Sequence, residues 1–197
     1  MGVMDAASVA FLREVLSTTG WVERTRELAM GLRATRTPGG LLVVGTPREE
    51  PWHLTAHLDD EARLSGLSQL APTLVRWEPP PGAPPHLSVG VDRLLAARRG
   101  ETLFVVSEAK APVPLLERVD DARKTGATIL ALDGGDPELE GLAHDALAVP
   151  PQDSLFTFDA AQHLVSMAAG ESSRTRGKLM DRLARLAERI TGPRVPD

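Results

Sequence analysis

The sequence contains no cysteine. That excludes disulfides, thiolate catalysis and cysteine-ligated zinc or iron–sulfur sites. It also lacks any apolar run near the roughly 20 residues that span a bilayer. Residues 1–10 carry Asp5 and no basic residue, so the charged start of a signal peptide is missing. A soluble, cytoplasmic protein without membrane contact is expected. Positive charge is in deficit: 22 Lys and Arg stand against 27 Asp and Glu, a formal net charge of -5. Such a balance does not attract a phosphate backbone, which argues against nucleic acid as a partner, although local basic stretches can override the mean. Lysine is scarce beside arginine, alanine and proline, a coding bias without functional content. What remains is ordinary for a globular chain, with 42% apolar and 25% charged residues. Its 197 residues suffice for one compact domain with extra helices at its ends.

Apolar residues in the stretch 5–33 recur at near-helical spacing, interrupted at Gly20, so one kinked helix or two short ones are predicted there. Thr37-Pro38-Gly39-Gly40 breaks the chain. Leu41-Leu42-Val43-Val44 is wholly apolar and fits a strand covered on both faces. A helix follows near Pro51 and carries His53 and His57. A second strand is predicted at 73–77. The five prolines at 79, 80, 81, 84 and 85 exclude regular helix and make a stiff exposed loop. A helix over 91–99 leads to a buried strand at 102–107. Next come a helix over 112–124 with Val113, Leu116 and Val119 on one side, a strand at 127–132, a short helix over 138–145 and a strand at 146–149. Helices over 158–169 and 178–190 close the chain. Tight strand–helix–strand units imply right-handed parallel crossovers. The sum is an α/β fold, a doubly wound parallel sheet of about five strands. The expected division is a helical segment at 1–38, the α/β domain at 39–170 and a basic amphipathic tail at 171–197.

Residues 100–150 carry an ordered series: Phe104-Val105-Val106-Ser107, Ala122-Arg123-Lys124-Thr125-Gly126-Ala127, Thr128-Ile129-Leu130-Ala131-Leu132, Leu142-Ala143-His144-Asp145 and Val149-Pro150. Their order and spacing resemble the second half of a sugar isomerase (SIS) domain, and residues 41–45 with the following helix resemble the first half. The resemblance covers about residues 39–169. It implies a flavodoxin-like sheet, a homodimer, and a small anionic ligand such as a sugar phosphate held by two loops at the carboxyl ends of the strands, where backbone N–H groups and helix N-termini favour anions.

Both loops depart from the family pattern. Gly45-Thr46-Pro47-Arg48-Glu49-Glu50 stands where the family has a Gly-x-Gly-x-Ser type, and Ser107-Glu108-Ala109-Lys110-Ala111-Pro112 where it has Ser-x-Ser-Gly. Pro47 and Pro112 remove backbone donors, and Glu49, Glu50 and Glu108 repel phosphate. The ligand-binding candidates are Gly45, Thr46, Arg48, Ser107 and Lys110. Ser107 could equally cap the next helix, and Arg48 and Lys110 could pair with Glu49 and Glu108 on a solvated surface.

Phosphoheptose isomerases of this family use a histidine on a late helix with a glutamate on the helix after the first strand. His163 lies near the first position, and Asp59, Asp60 and Glu61 lie near the second. A histidine and a carboxylate suit proton shuttling between sugar carbons, and a partly buried structural histidine is the competing reading. His53 and His57 share a helical face, but the further ligands of a metal motif are absent, so neither metal nor cofactor is expected. Asp133-Gly134-Gly135-Asp136 reads as a strand-end turn.

Leu179, Leu183, Leu186 and Ile190 make a heptad-like stripe, surrounded by Arg174, Arg176, Lys178, Arg182, Arg185 and Arg189. That helix could dock on its own domain, pair with a second copy or bind a protein partner. The expectation from sequence is a dimeric, non-catalytic SIS-like module binding a small anion or a protein. The alternative is an isomerase using His163 and a carboxylate near Asp60.

Overall fold

The computed structural model describes residues 20–149 and 157–171. The C-terminal stripe and the segment before Gly20 lie outside these residues. Five strands, β1 (Leu41–Val44), β2 (Pro72–Val75), β3 (Thr102–Ser107), β4 (Thr128–Asp133) and β5 (Asp145–Ala148), form one sheet. All neighbours pair in parallel, in the order β2-β1-β3-β4-β5. Helices α1 (Trp21–Arg33), α2 (Trp52–Ser65), α3 (Val113–Lys124), α4 (Pro137–Leu142) and α5 (Phe158–Gly170) surround it. This is the doubly wound α/β fold expected from the sequence. No helix among the described residues is long and apolar enough to cross a membrane.

The apolar centres of β1, β3 and β4 follow from this layering. Successive side chains point to opposite faces, so a strand covered on both sides is apolar at every interior position and keeps polar residues to its ends. On one face Leu41, Val43, Phe104, Val106, Leu130 and Leu132 meet α1, α2 and α5. On the other, Leu42, Val44, Leu103, Val105, Ile129 and Ala131 meet Leu94, Leu115, Val119 and Leu139. α2 and α5 lie side by side, as the contact of His57 with His163 shows.

Several elements differ from their sequence reading. The 91–99 helix is a short 3₁₀ segment, Val91–Ala96. On α3 the buried residues are Leu115, Val119 and Ala122. Val113 is exposed, because it sits in the first turn, out of phase with the i, i+4, i+7 stripe that faces the sheet. β2 stops at Val75; Arg76 N then donates to Val89 O (2.8 Å), and the Trp77 indole N–H donates to Gly45 O (2.9 Å). α4 ends at Leu142, and Asp145 already belongs to β5. Asp136 caps α4 by accepting from Glu138 N, and Pro137 occupies its first position.

Candidate functional site

The order 2-1-3-4-5 reverses direction between β1 and β3, and there the carboxyl ends of the strands open a crevice. Its volume is about 330 Å³. The loop after β1 contributes Glu49 and Glu50, and the start of α2 contributes Trp52 and His53. Glu108 comes from the loop after β3, and Gln162 from α5.

Neither loop is built as an open phosphate cradle. A Cβ on Gly45 would stand 2.0 Å from Glu49 O, so glycine is required because the loop folds back on itself. Thr46 is buried, and its Oγ1 accepts from Glu49 N (3.1 Å). Ser107 is buried too, and its Oγ donates to Ala109 O (2.6 Å). Glu108 O packs on Gly134, where a Cβ would lie 2.1 Å away. Ala111 N donates to Asp136 Oδ2 (2.8 Å), and Gly135 N and Asp136 N donate to Asp133 Oδ1 (2.7 and 2.8 Å). The backbone donors expected to meet an anion thus serve the loops themselves. Asp133 is fully buried, and that burial raises its pKa above the ordinary 3.8, with the two N–H groups opposing the shift.

Electrostatics vary around the crevice. Arg76 Nε pairs with Glu50 (2.9 Å), both largely buried, and its guanidinium lies 4.6 Å over the Trp52 ring. Arg48 is exposed. Lys110 reaches Glu138 (3.2 Å) with both side chains mostly in solvent, a pair of little energetic weight. α2 follows Pro51 without a side-chain cap, and Trp52 N donates to Glu50 O (2.8 Å).

The acid–base candidates stand apart. His163 packs edge-to-face on His57 with ring centroids 4.4 Å apart, and its Nε2 lies 3.6 Å from Asp159. Burial lowers its pKa below the ordinary 6.5, and the neighbouring His57 and His53 act in the same direction while Asp159 opposes them. Asp59 and Asp60 are exposed or nearly so and pair with Arg63. Glu61 is buried against Gly170, seven residues beyond His163, or about 10 Å along α5. His163 therefore meets a histidine where an isomerase reading needs a carboxylate of α2. Among the described residues no cluster of His, Cys, Asp or Glu is arranged to hold a metal ion.

No protein-family model matches the sequence, and no curated protein matches it. Solved structures do. A protein from Silicibacter pomeroyi DSS-3, provisionally assigned as a phosphosugar isomerase, superposes with a TM-score of 0.58 at 17% identity, over 94% of this chain and 52% of that one. The Vibrio vulnificus NanR protein, solved with ManNAc-6P, gives 0.53 at 10% identity over 93% and 68%. A protein from Salmonella typhimurium LT2, provisionally assigned to sugar binding, gives 0.51 at 14% over 89% and 56%. The chain has the fold of the SIS proteins. It spans about half the length of the Silicibacter and Salmonella chains. Glu108 lies in a loop that the family pattern marks, whereas Trp52 and Gln162 lie on helices outside both loops, where linear spacing does not single them out. The uninterrupted strand ends were the signal that located the crevice itself.

Proposed function

We propose that the chain is a non-catalytic sugar-binding module that takes its ligand in the crevice between the carboxyl ends of β1 and β3. The observation that carries this is the lining: carboxylates of Glu49 and Glu108, the Gln162 amide and the His53 ring surround a concavity beside the partly exposed Trp52. Carboxylates and amides accept from sugar hydroxyls or an amine, and an indole face packs on a sugar's apolar C–H surface. A phosphate on the same ligand would meet the uncapped start of α2 and the exposed Arg48, with Lys110 at the neighbouring loop. The ligand class is thus a sugar or sugar phosphate, as the SIS resemblance implies, with the sugar moiety providing most contacts. The packing of His163 on His57, with Glu61 against Gly170, supports the non-catalytic reading. The homodimer and a protein partner on the basic C-terminal segment belong to the same proposal. Sedimentation equilibrium tests the dimer.

Isothermal titration with paired sugars and sugar phosphates tests the binding reading. Gln162→Ala and Glu108→Gln should each weaken binding about five- to tenfold, equal to roughly 1–1.4 kcal/mol. Binding unaffected by either variant would place the ligand elsewhere. A coupled ketose–aldose assay should show no turnover; turnover abolished by His163→Ala would establish the isomerase alternative.

A further inference from the structure

The opposite end of the sheet holds a second concavity, of about 440 Å³. Its lining includes Arg36, Arg99, Arg123, Thr102, Thr128 and His144, and no carboxylate. Thr102 and Thr128 open the strands that Ser107 and Asp133 close. At about 3.3 Å per residue, this cleft lies some 16 Å from the crevice described above.

Its charge is unusual for this molecule. Arg24, Arg26, Arg63, Arg76, Arg93, Arg98 and Arg118 each pair with a carboxylate. Arg36 and Arg99 have no side-chain hydrogen bond or ion pair among the described residues, and both are exposed at the cleft. Arg123 is anchored, but on the carbonyls of Gly141 (2.9 Å) and Leu142 (2.8 Å), which fix its position and leave its charge uncompensated. His144 adds a directed donor. Its Nδ1 accepts from Ile129 N (2.9 Å), so the neutral ring carries its proton on Nε2. Three guanidinium groups around one concavity concentrate positive potential in a chain whose net charge is -5. Guanidinium forks match phosphate oxygens in charge and geometry. The cleft has room for one small molecule, and no Trp or Phe lines it to stack a nucleic-acid base.

We propose that the cleft at the amino ends of β3 and β4 is a separate binding site for a small molecule bearing a phosphate or diphosphate group. It is independent of the sugar-binding crevice and would persist if that reading failed. The test is calorimetric titration of the full chain with inorganic phosphate and pyrophosphate at low salt. Pyrophosphate should bind with one-to-one stoichiometry, more tightly than phosphate, and more weakly as sodium chloride rises. Arg36→Gln and Arg99→Gln should each lower affinity about tenfold, while Arg63→Gln, a surface cation of α2 that lines neither concavity, should not. Neither the Arg36 nor the Arg99 side chain holds a polar partner among the described residues, so the melting temperature should be retained. Amide chemical-shift changes in the wild-type protein give a readout free of mutation, and they should cluster on Gly100, Thr102, Thr128 and His144. No binding at millimolar pyrophosphate, shifts clustered elsewhere, or equal losses in Arg63→Gln would overturn the proposal. So would binding of an RNA oligonucleotide through these arginines without any binding of pyrophosphate.

Discussion

Gly45→Ala probes the most constrained point of the crevice wall. The added Cβ would meet Glu49 O at 2.0 Å, against an ordinary contact of 3.4 Å or more, so the carbonyl must retreat by about 1.4 Å. The obstacle is backbone, and no rotamer change relieves it. Retreat would strain the bonds from Glu49 N to Thr46 O (3.2 Å) and Oγ1 (3.1 Å), and the bond from Trp77 Nε1 to Gly45 O (2.9 Å). Overpacking of this kind costs about 1–3 kcal/mol, and each affected hydrogen bond is worth about 1 kcal/mol net. For a chain of this size, 1 kcal/mol moves the melting temperature by roughly 2–4 °C, so a fall of about 3–10 °C is expected in far-ultraviolet circular dichroism melts. Gly141→Ala is the matched control. Its Cβ meets nothing within 4 Å and it lies in α4, so alanine should be neutral or stabilising by up to about 1 kcal/mol. A Gly45→Ala melting temperature within about 1 °C of wild type would refute the close-packed loop and reopen the phosphate-cradle reading.

Further tests concern buried groups. Asp133→Ala should cost about 2–4 kcal/mol at pH 7, because it strips the acceptor from Gly135 N and Asp136 N. Asp133→Asn keeps that acceptor and removes a carboxyl whose pKa is raised above 3.8. With the folded state holding the proton more tightly, the wild type loses stability as pH rises through the folded value, and urea titrations of Asp133→Asn should lack that decline. His163 shifts the other way: its folded pKa lies below 6.5, so its contribution is full above pH 6.5 and is lost as pH falls from there through the folded value. His163→Asn should flatten that acid-side slope in denaturant midpoints, and an unchanged slope would assign it to other groups. Phe104→Ala, at a fully buried site in the sheet centre, should cost about 3–5 kcal/mol by urea unfolding.

Apolar runs made the strands readable. β1 and β3 occur at their predicted residues because the interior of a strand covered on both faces must be apolar, as Leu41–Val44 and Leu103–Val106 are. The helix ends and the 3₁₀ segment were less legible, since capping by Asp136 and the turn of Trp77 depend on contacts with distant chain. The site shows the same division. Gly45 and Ser107 sit where the family pattern places them, at the ends of buried strands. What their backbones and hydroxyls bond to is decided by the folding of each loop on itself, which linear spacing does not encode. The arginines of the opposite cleft come from three separate connections, Arg36 before β1, Arg99 before β3 and Arg123 before β4. Only the parallel order of the strands gathers them at one end.

The place of Trp52 has a practical corollary. The chain has no tyrosine and three tryptophans, so its intrinsic emission comes from indoles alone. Trp52 lines the crevice under the Arg76 guanidinium, and Trp77 is tied to the same loop through Gly45 O. A molecule entering the crevice must displace water beside one of these indoles and disturb the cation held over it. The wild-type protein thus carries an optical reporter at this mouth of the sheet, while no tryptophan lines the arginine cleft at the other.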